Sequence, residues 1–146
     1  MEKHYFTNNG EETESLGRAI GASLKGGEAI QLIGDLGSGK TKFVRGLAFG
    51  ADSHDAVSSP TFTIGQVYAG KVVIRHFDFY RLQDDEMIRH EINDSAEDQD
   101  LIVMEWAQDV SGSLEREILM LSFDYIDENR RQITIKGPGK YGYLLP

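Results

Sequence analysis

The sequence predicts an α/β domain in which a mixed central sheet is flanked by helices. Three observations carry this. Short apolar runs alternate with segments of helical periodicity early in the chain, two later stretches read as hairpins, and the run "EAIQLI" leads straight into a glycine-rich loop followed by more helical periodicity. Alternating strand and helix favours parallel pairing and hairpins add antiparallel neighbours, so the two together give a mixed sheet.

Each element has its own signal. "HYFTN" (4–8) reads as an edge strand. Asn9 is placed as a helix N-cap, with Glu12 three residues later in the manner of a capping box. Leu16, Ile20 and Leu24, with Ala19, make an apolar stripe at helical spacing, so a helix is expected over 11–25, ending at Gly26-Gly27. "EAIQLI" (28–33) reads as a buried strand. Lys42, Phe43, Val44, Leu47 and Ala48 continue as a helix that stops at Gly50. Residues 51–60 are polar and end in Ser59-Pro60, a loop signal. "TFTIGQVY" and "KVVIRHFDF" flank Ala69-Gly70 as a hairpin, and "DDEMIRHEI" reads as a short helix. "LIVMEW" (101–106) is a continuous apolar run of the kind found in central strands. The segments 118–124 and 131–136 flank "DYIDENR" as a second hairpin.

With 146 residues the chain suffices for one domain with a real core and is too short for two, so 1–146 is expected to be a single domain. Its 40% apolar and 27% charged content is ordinary for a globular protein. No leading basic segment precedes an apolar run, and no apolar run approaches the roughly 20 residues that span a bilayer. Cysteine is absent, which excludes disulfides and thiolate chemistry, and the four histidines lack metal-ligand spacing. A cytoplasmic protein is the expectation. The formal net charge of −9 argues against strong direct nucleic-acid binding by this chain, because such affinity comes from Lys and Arg neutralising phosphates. The acidity serves solubility, or it faces a basic partner.

Gly34, Asp35, Leu36, Gly37, Ser38, Gly39, Lys40 and Thr41 match G-x-x-x-x-G-K-[ST] without departure. The glycines permit turns that aim backbone N–H groups at a phosphate, and the following helix adds its positive N-terminal end. Lys40 reaches the β- and γ-phosphates, and Thr41 offers a hydroxyl to Mg²⁺. A strand before the loop and a helix after it supply the context that separates this motif from a chance glycine loop. The expected architecture is therefore a three-layer P-loop NTPase-like fold.

A phosphate-bound Mg²⁺ calls for a carboxylate at the end of a neighbouring strand. Glu105 follows Leu101, Ile102, Val103 and Met104, four apolar residues and then an acid, as in a Walker B strand. Asp78 follows "VVIRHF" in a less uniform strand. One of the two holds the metal and the other orients the attacking water; spacing does not assign the roles. Thr61, in Ser58-Ser59-Pro60-Thr61, stands where nucleotide hydrolases often carry a switch, although a plain turn fits the same residues. Trp106 is the only tryptophan, a core or interface aromatic unless it packs near the nucleotide base. The chain has no N-K-x-D guanine-reading motif, no transporter-type LSGGQ signature and no arginine-rich lid.

"GDLGSGKTKFVRG", "SSPTFT", "HFDFYRL" and "VMEWAQ" occur in that order, and on them the chain resembles the TsaE (YjeE-type) family from about residue 9 to about residue 131. The phosphate loop alone is widespread; its joint occurrence with S-P-T, H-F-D-x-Y-R and E-W is far more specific. The resemblance implies a bacterial ATPase needed for the threonylcarbamoyladenosine modification of transfer RNAs that read codons beginning with adenosine. It implies that Lys40 and the loop backbone hold ATP, that Thr41 and Glu105 hold Mg²⁺, and that Asp78 is the acid needed for hydrolysis. It further implies a switch hydroxyl at Thr61, a position near the nucleotide for Trp106, another nucleotide contact at Arg130, and a place near the adenine for Asn9 to Glu12. Its implied partners are TsaD, which carries the transferase site, and TsaB, with ATP turnover resetting their complex.

Two departures stand out: Lys42 follows Thr41 where the family commonly has a second threonine, and "EWAQ" replaces E-W-P-x. The C-terminal "KGPGKYGYLLP" yields no reading. The rival readings are a small-molecule P-loop kinase and a nonhydrolytic nucleotide-binding regulator. Because no arginine is evidently placed as a finger, slow turnover is expected of the isolated chain.

Overall fold

The computed structural model describes residues 1–57, 65–79, 85–105 and 114–146. In chain order the strands are β1 (Glu2–Thr7), β2 (Ala29–Ile33), β3 (Gly65–Tyr68), β4 (Ile74–Asp78), β5 (Leu101–Glu105), β6 (Ile118–Tyr125) and β7 (Arg131–Lys136). The helices are α1 (Gly10–Ala22), α2 (Lys40–Gly50) and α3 (Asp85–Ser95), and a 3₁₀ segment covers Gly139–Leu144. The strands form one sheet in the order β1-β7-β6-β2-β5-β4-β3. The central four, β6, β2, β5 and β4, run parallel. The hairpins extend this block antiparallel at both edges, β3 on β4 and β7 on β6, with β1 added outside β7. This is the mixed sheet expected from the sequence.

Alternation across β5 explains its continuous apolar run. Leu101 and Val103 face a core with Ile30, Leu32, Phe43 and Leu47 on the α1–α2 side. Ile102 and Met104 face a second core with Phe77, Phe79, Ile88 and Ile92 on the α3 side. A strand covered on both faces has no solvent side on which to place polar residues.

Asn9 caps α1 as expected, its side chain accepting from Glu12 N at 2.9 Å. The reciprocal half of the box is displaced by one residue, since Glu12 Oε2 accepts from Asn8 N. The helix expected to reach residue 25 ends at Ala22. Glu28 supplies the reason: its buried carboxylate accepts from Lys25 N and Gly26 N, each at 2.7 Å, and draws that backbone out of helical register before the left-handed Gly26 and Gly27.

The two helices on the first face lie unusually close. A Cβ at Gly17 would stand 2.2 Å from Phe43 O, and one at Gly46 would stand 1.9 Å from Glu14 O. Gly21 and Gly50 repeat the contact one turn further along. Glycines four apart on each helix thus let the two backbones touch, which fixes α2, and the loop at its head, against α1. The C-terminal residues, unreadable from sequence, close over the opposite end of the sheet. Tyr141 and Leu144 are buried, Tyr141 donates to Glu117 O at 2.9 Å, and Tyr143 donates to Glu28 Oε2 at 2.7 Å.

Candidate active site

The glycine loop joins the carboxyl end of β2 to the first residue of α2. Gly37 and Gly39 adopt φ of 80° and 108°, a left-handed conformation in which a side chain is strained. A Cβ at Gly34 would lie 2.6 Å from Ser38 Oγ, so the loop closes tightly on itself. Ser38 N donates to Asp35 O at 3.1 Å within the turn. Gly39, the N-cap of α2, offers no side-chain cap, and the first turn carries no acid. The positive end of the helix is therefore open to an external anion. Lys40 Nζ donates to Gly34 O at 2.7 Å, and Ser38 Oγ is buried with no partner among the described residues. Asp35, Leu36 and Gly37 are exposed at the loop crown, and Thr41 is half-buried on the first turn of α2.

The β6–β7 turn braces this loop from the side. Tyr125 donates its hydroxyl to Leu36 O at 3.0 Å, and Arg131 Nε donates to Ser38 O at 3.2 Å. The Arg131 guanidinium sits 4.1 Å above the Tyr125 ring, so brace and stacking reinforce each other. Arg130, the arginine named from the sequence, is exposed and paired with Asp127 at 2.6 Å. Backbone N–H donation from Arg130, then its guanidinium, holds the Asp127 carboxyl below the usual carboxylate range. Sequence reasoning passed over Arg131 and Tyr125. Their signal was the hairpin itself, in which Tyr125 and Arg131 are opposed at the turn end of the strands.

Across the parallel strands, Leu32 is level with Glu105 and Glu105 with Asp78. The two acids therefore stand side by side at the carboxyl edge of the sheet, directly beside the strand that feeds the loop. Leu32 belongs to the core under α2, and residues in register point to the same side, so both carboxylates face the helix that carries Lys40 and Thr41. Glu105 is only 6% exposed, whereas Asp78 is half-buried. The Glu105 carboxylate meets a histidine that sequence reasoning left without a role: His76 Nε2 lies 3.0 Å from Glu105 Oε2. His76 Nδ1 lies 3.0 Å from the Tyr68 hydroxyl, which donates to Gln66 Oε1 at 2.6 Å. The missed signal was the strand period: His76 lies two residues before Asp78 and so shares its face.

The start of α1 closes the other flank. A Cβ at Gly39 would touch Thr13 Cγ2 at 3.5 Å, and Thr13 shares a 2.8 Å hydrogen bond with the Thr7 hydroxyl. Lys42, the departure noted in the sequence, is exposed and runs its stem past Gly10, where a Cβ would lie 3.5 Å from Lys42 Cε. Thr61 and Trp106 lie outside the described residues, as does the rest of Ser58-Ser59-Pro60-Thr61. The arrangement amounts to a loop of backbone donors on a helix N-terminus, the Lys40 cation bonded across that loop, and two acids one strand and two strands away.

Comparison with known proteins gives one consistent result. The family model described as "Threonylcarbamoyl adenosine biosynthesis protein TsaE" matches residues 7–133. The tRNA threonylcarbamoyladenosine biosynthesis protein TsaE of Bacillus subtilis (strain 168) is 34% identical over 140 residues, covering 95% of this chain and 88% of that protein. The protein of the same name from Treponema pallidum (strain Nichols) is 31% identical over 126 residues, covering 86% of this chain and 93% of its own. Among solved structures, the crystal structure of Bacillus subtilis YdiB superposes with a TM-score of 0.78 at 28% identity, covering 99% of this chain and 91% of that one. With loop, sheet order and family model in agreement over most of its length, this chain belongs to the TsaE family.

Proposed function

We propose that this chain binds ATP on Gly34–Thr41 and hydrolyses its γ-phosphate in a Mg²⁺-dependent step that serves threonylcarbamoyladenosine modification of transfer RNAs reading codons beginning with adenosine. The observation that carries this reading is the register that sets Glu105 and Asp78 level with the end of the loop strand. A phosphate loop without acids beside it suits binding alone; two acids at its edge suit metal-dependent hydrolysis.

The residues fit the nucleotide and its metal. The uncapped start of α2 and the orphaned Ser38 Oγ await an anion with hydrogen-bond acceptors. A Mg²⁺ would take its protein ligands from oxygen donors and complete its sphere with phosphate oxygens and water. Thr41 and Glu105 would hold it, and when bound it neutralises the charge that develops on the transferred phosphoryl group. Lys40 exchanges its bond to Gly34 O for one to a phosphate oxygen. Loop N–H groups orient the phosphates in line for attack, and Asp78 orients the water. The family resemblance assigns the switch hydroxyl to Thr61 and nucleotide contacts to Trp106 and Arg130, the latter on release from Asp127 and away from the γ-phosphate.

Turnover by the chain alone is slow, because the arginines of the β6–β7 turn are engaged by Asp127 and Ser38 rather than poised over a phosphate. The partners are TsaD and TsaB, and the net charge of −9 accords with a chain that acts on that pair rather than on transfer RNA itself. Phosphate release from ATP tests this reading, measured with and without Mg²⁺ and with and without the TsaD–TsaB pair. The expected result is Mg²⁺-dependent release that the pair accelerates. A metabolite that becomes phosphorylated, with no response to the pair, would establish the kinase reading instead.

A further inference from the structure

Three strands contribute to one buried polar chain, Gln66 and Tyr68 from β3, His76 from β4 and Glu105 from β5. His76 is 0% exposed and Tyr68 1%. On the same face the neighbouring strand positions are filled by Ile74 and Val103, so the core at this place has no need of an imidazole. A polar ring buried there is satisfied only through its two hydrogen bonds.

The donor count fixes the direction of the last one. An ionised carboxylate can only accept. If the Tyr68 proton goes to Gln66, His76 Nδ1–H donates to the Tyr68 oxygen; if it goes to His76, Nδ1 accepts. In the second arrangement a neutral ring carries its proton on Nε2 and donates it to Glu105 Oε2; in the first, Nε2 donates there only from an imidazolium, which carries protons on both nitrogens. One lone pair of Oε2 is thus engaged within the protein, which leaves Oε1 the less encumbered oxygen for a cation or water.

We propose that His76 is a positioning residue: it fixes Oε2 of Glu105, reserves Oε1 for the metal, and is itself held by Tyr68. The proposal rests on the reading of Glu105 as a metal-binding acid. A carboxylate pinned by one oxygen presents a single, oriented ligand atom, and loss of such a support typically weakens metal affinity about 10- to 100-fold.

The test uses the full chain and a fluorescent ADP analogue, with affinity measured in EDTA and across a Mg²⁺ titration, and with thermal unfolding recorded for every variant. Glu105→Ala should raise the Mg²⁺ concentration needed for half-maximal effect about tenfold or more. His76→Phe should reproduce most of that shift while leaving affinity in EDTA at the wild-type value. His76→Gln, whose amide restores an N–H donor, should recover part of it, and Tyr68→Phe should give a shift of a few-fold. In a Glu105→Ala background, His76→Phe should add nothing. Should His76→Phe fail to fold, Tyr68→Phe and His76→Gln carry the same comparison. A lowered Tm with an unchanged Mg²⁺ requirement would overturn the proposal, as would an equal shift from His76→Phe in the Glu105→Ala background. If Glu105→Ala itself leaves the Mg²⁺ requirement unchanged, the assignment of Glu105 to the metal falls, and the role of His76 with it.

Discussion

Lys40 holds the phosphate loop shut on itself through a 2.7 Å bond to Gly34 O, the contact that a phosphate must replace. Charge-assisted hydrogen bonds of this kind contribute about 1.5–3 kcal/mol, so Lys40→Ala should weaken ATP about 10- to 100-fold in a direct binding titration. Tyr125→Phe probes the brace more gently. It removes the bond to Leu36 O but keeps the ring under Arg131, so nucleotide affinity should fall a few-fold with little change in Tm. An unchanged affinity would show that the loop keeps its shape without the turn. The placement of Lys40 and Thr41 at the head of a helix, and of Asp78 and Glu105 at strand ends, was legible in the sequence because it is tied to short spacings: a motif of eight positions, or an acid at the end of an apolar run. Tyr125 and Arg131 were not, since the carbonyls they hold lie 89 and 93 residues away along the chain. His76 was hidden for a related reason: a lone histidine in an apolar strand acquires a meaning only when the opposing strand is known to end in an acid.

At the scale of elements, the contact between α1 and α2 sets where the loop stands. A methyl group at Gly46 would lie 1.9 Å from a backbone oxygen, a clash that only displacement of a helix relieves. Gly46→Ala should therefore cost about 2 kcal/mol or more and lower Tm by roughly 5 °C. Gly139→Ala, which meets nothing within 4 Å, should stay within about 0.5 kcal/mol of the wild type. Equal effects from the two would refute the close-contact account. The C-terminal clasp makes a different prediction. Burial, together with the hydrogen bond to Glu28, raises the Tyr143 hydroxyl pKa, and burial also raises that of Tyr141. A phenol ionises more readily in the unfolded chain under these conditions, so the contribution of these two tyrosines is level below about pH 10 and is lost as pH rises beyond it. Tyr143→Phe should flatten that alkaline decline in a series of denaturant melts, and an unchanged decline would place its origin elsewhere. Strand and helix periods made these elements legible. The glycine contact and the clasp were not, because both depend on which backbones meet.

The whole molecule is a sheet whose four-stranded parallel block gathers its carboxyl ends at one edge while antiparallel strands close both sides. Its mixed character followed from the sequence, since alternation and hairpins are local signals. Its strand order did not: β6 lies beside β2 although three strands and two helices separate them along the chain, and only packing on both faces decides that. The order has a functional consequence. It places β5 between β2 and β4, so that Glu105 stands between the phosphate loop and Asp78. The most direct measurement of the account is a reconstituted transfer-RNA modification reaction with TsaD and TsaB, followed through repeated turnovers with ATP and Mg²⁺. The account predicts sustained product formation with the wild-type chain and arrest after early turnovers without it or with Lys40→Ala. Sustained turnover with Lys40→Ala, at the wild-type rate, would contradict it.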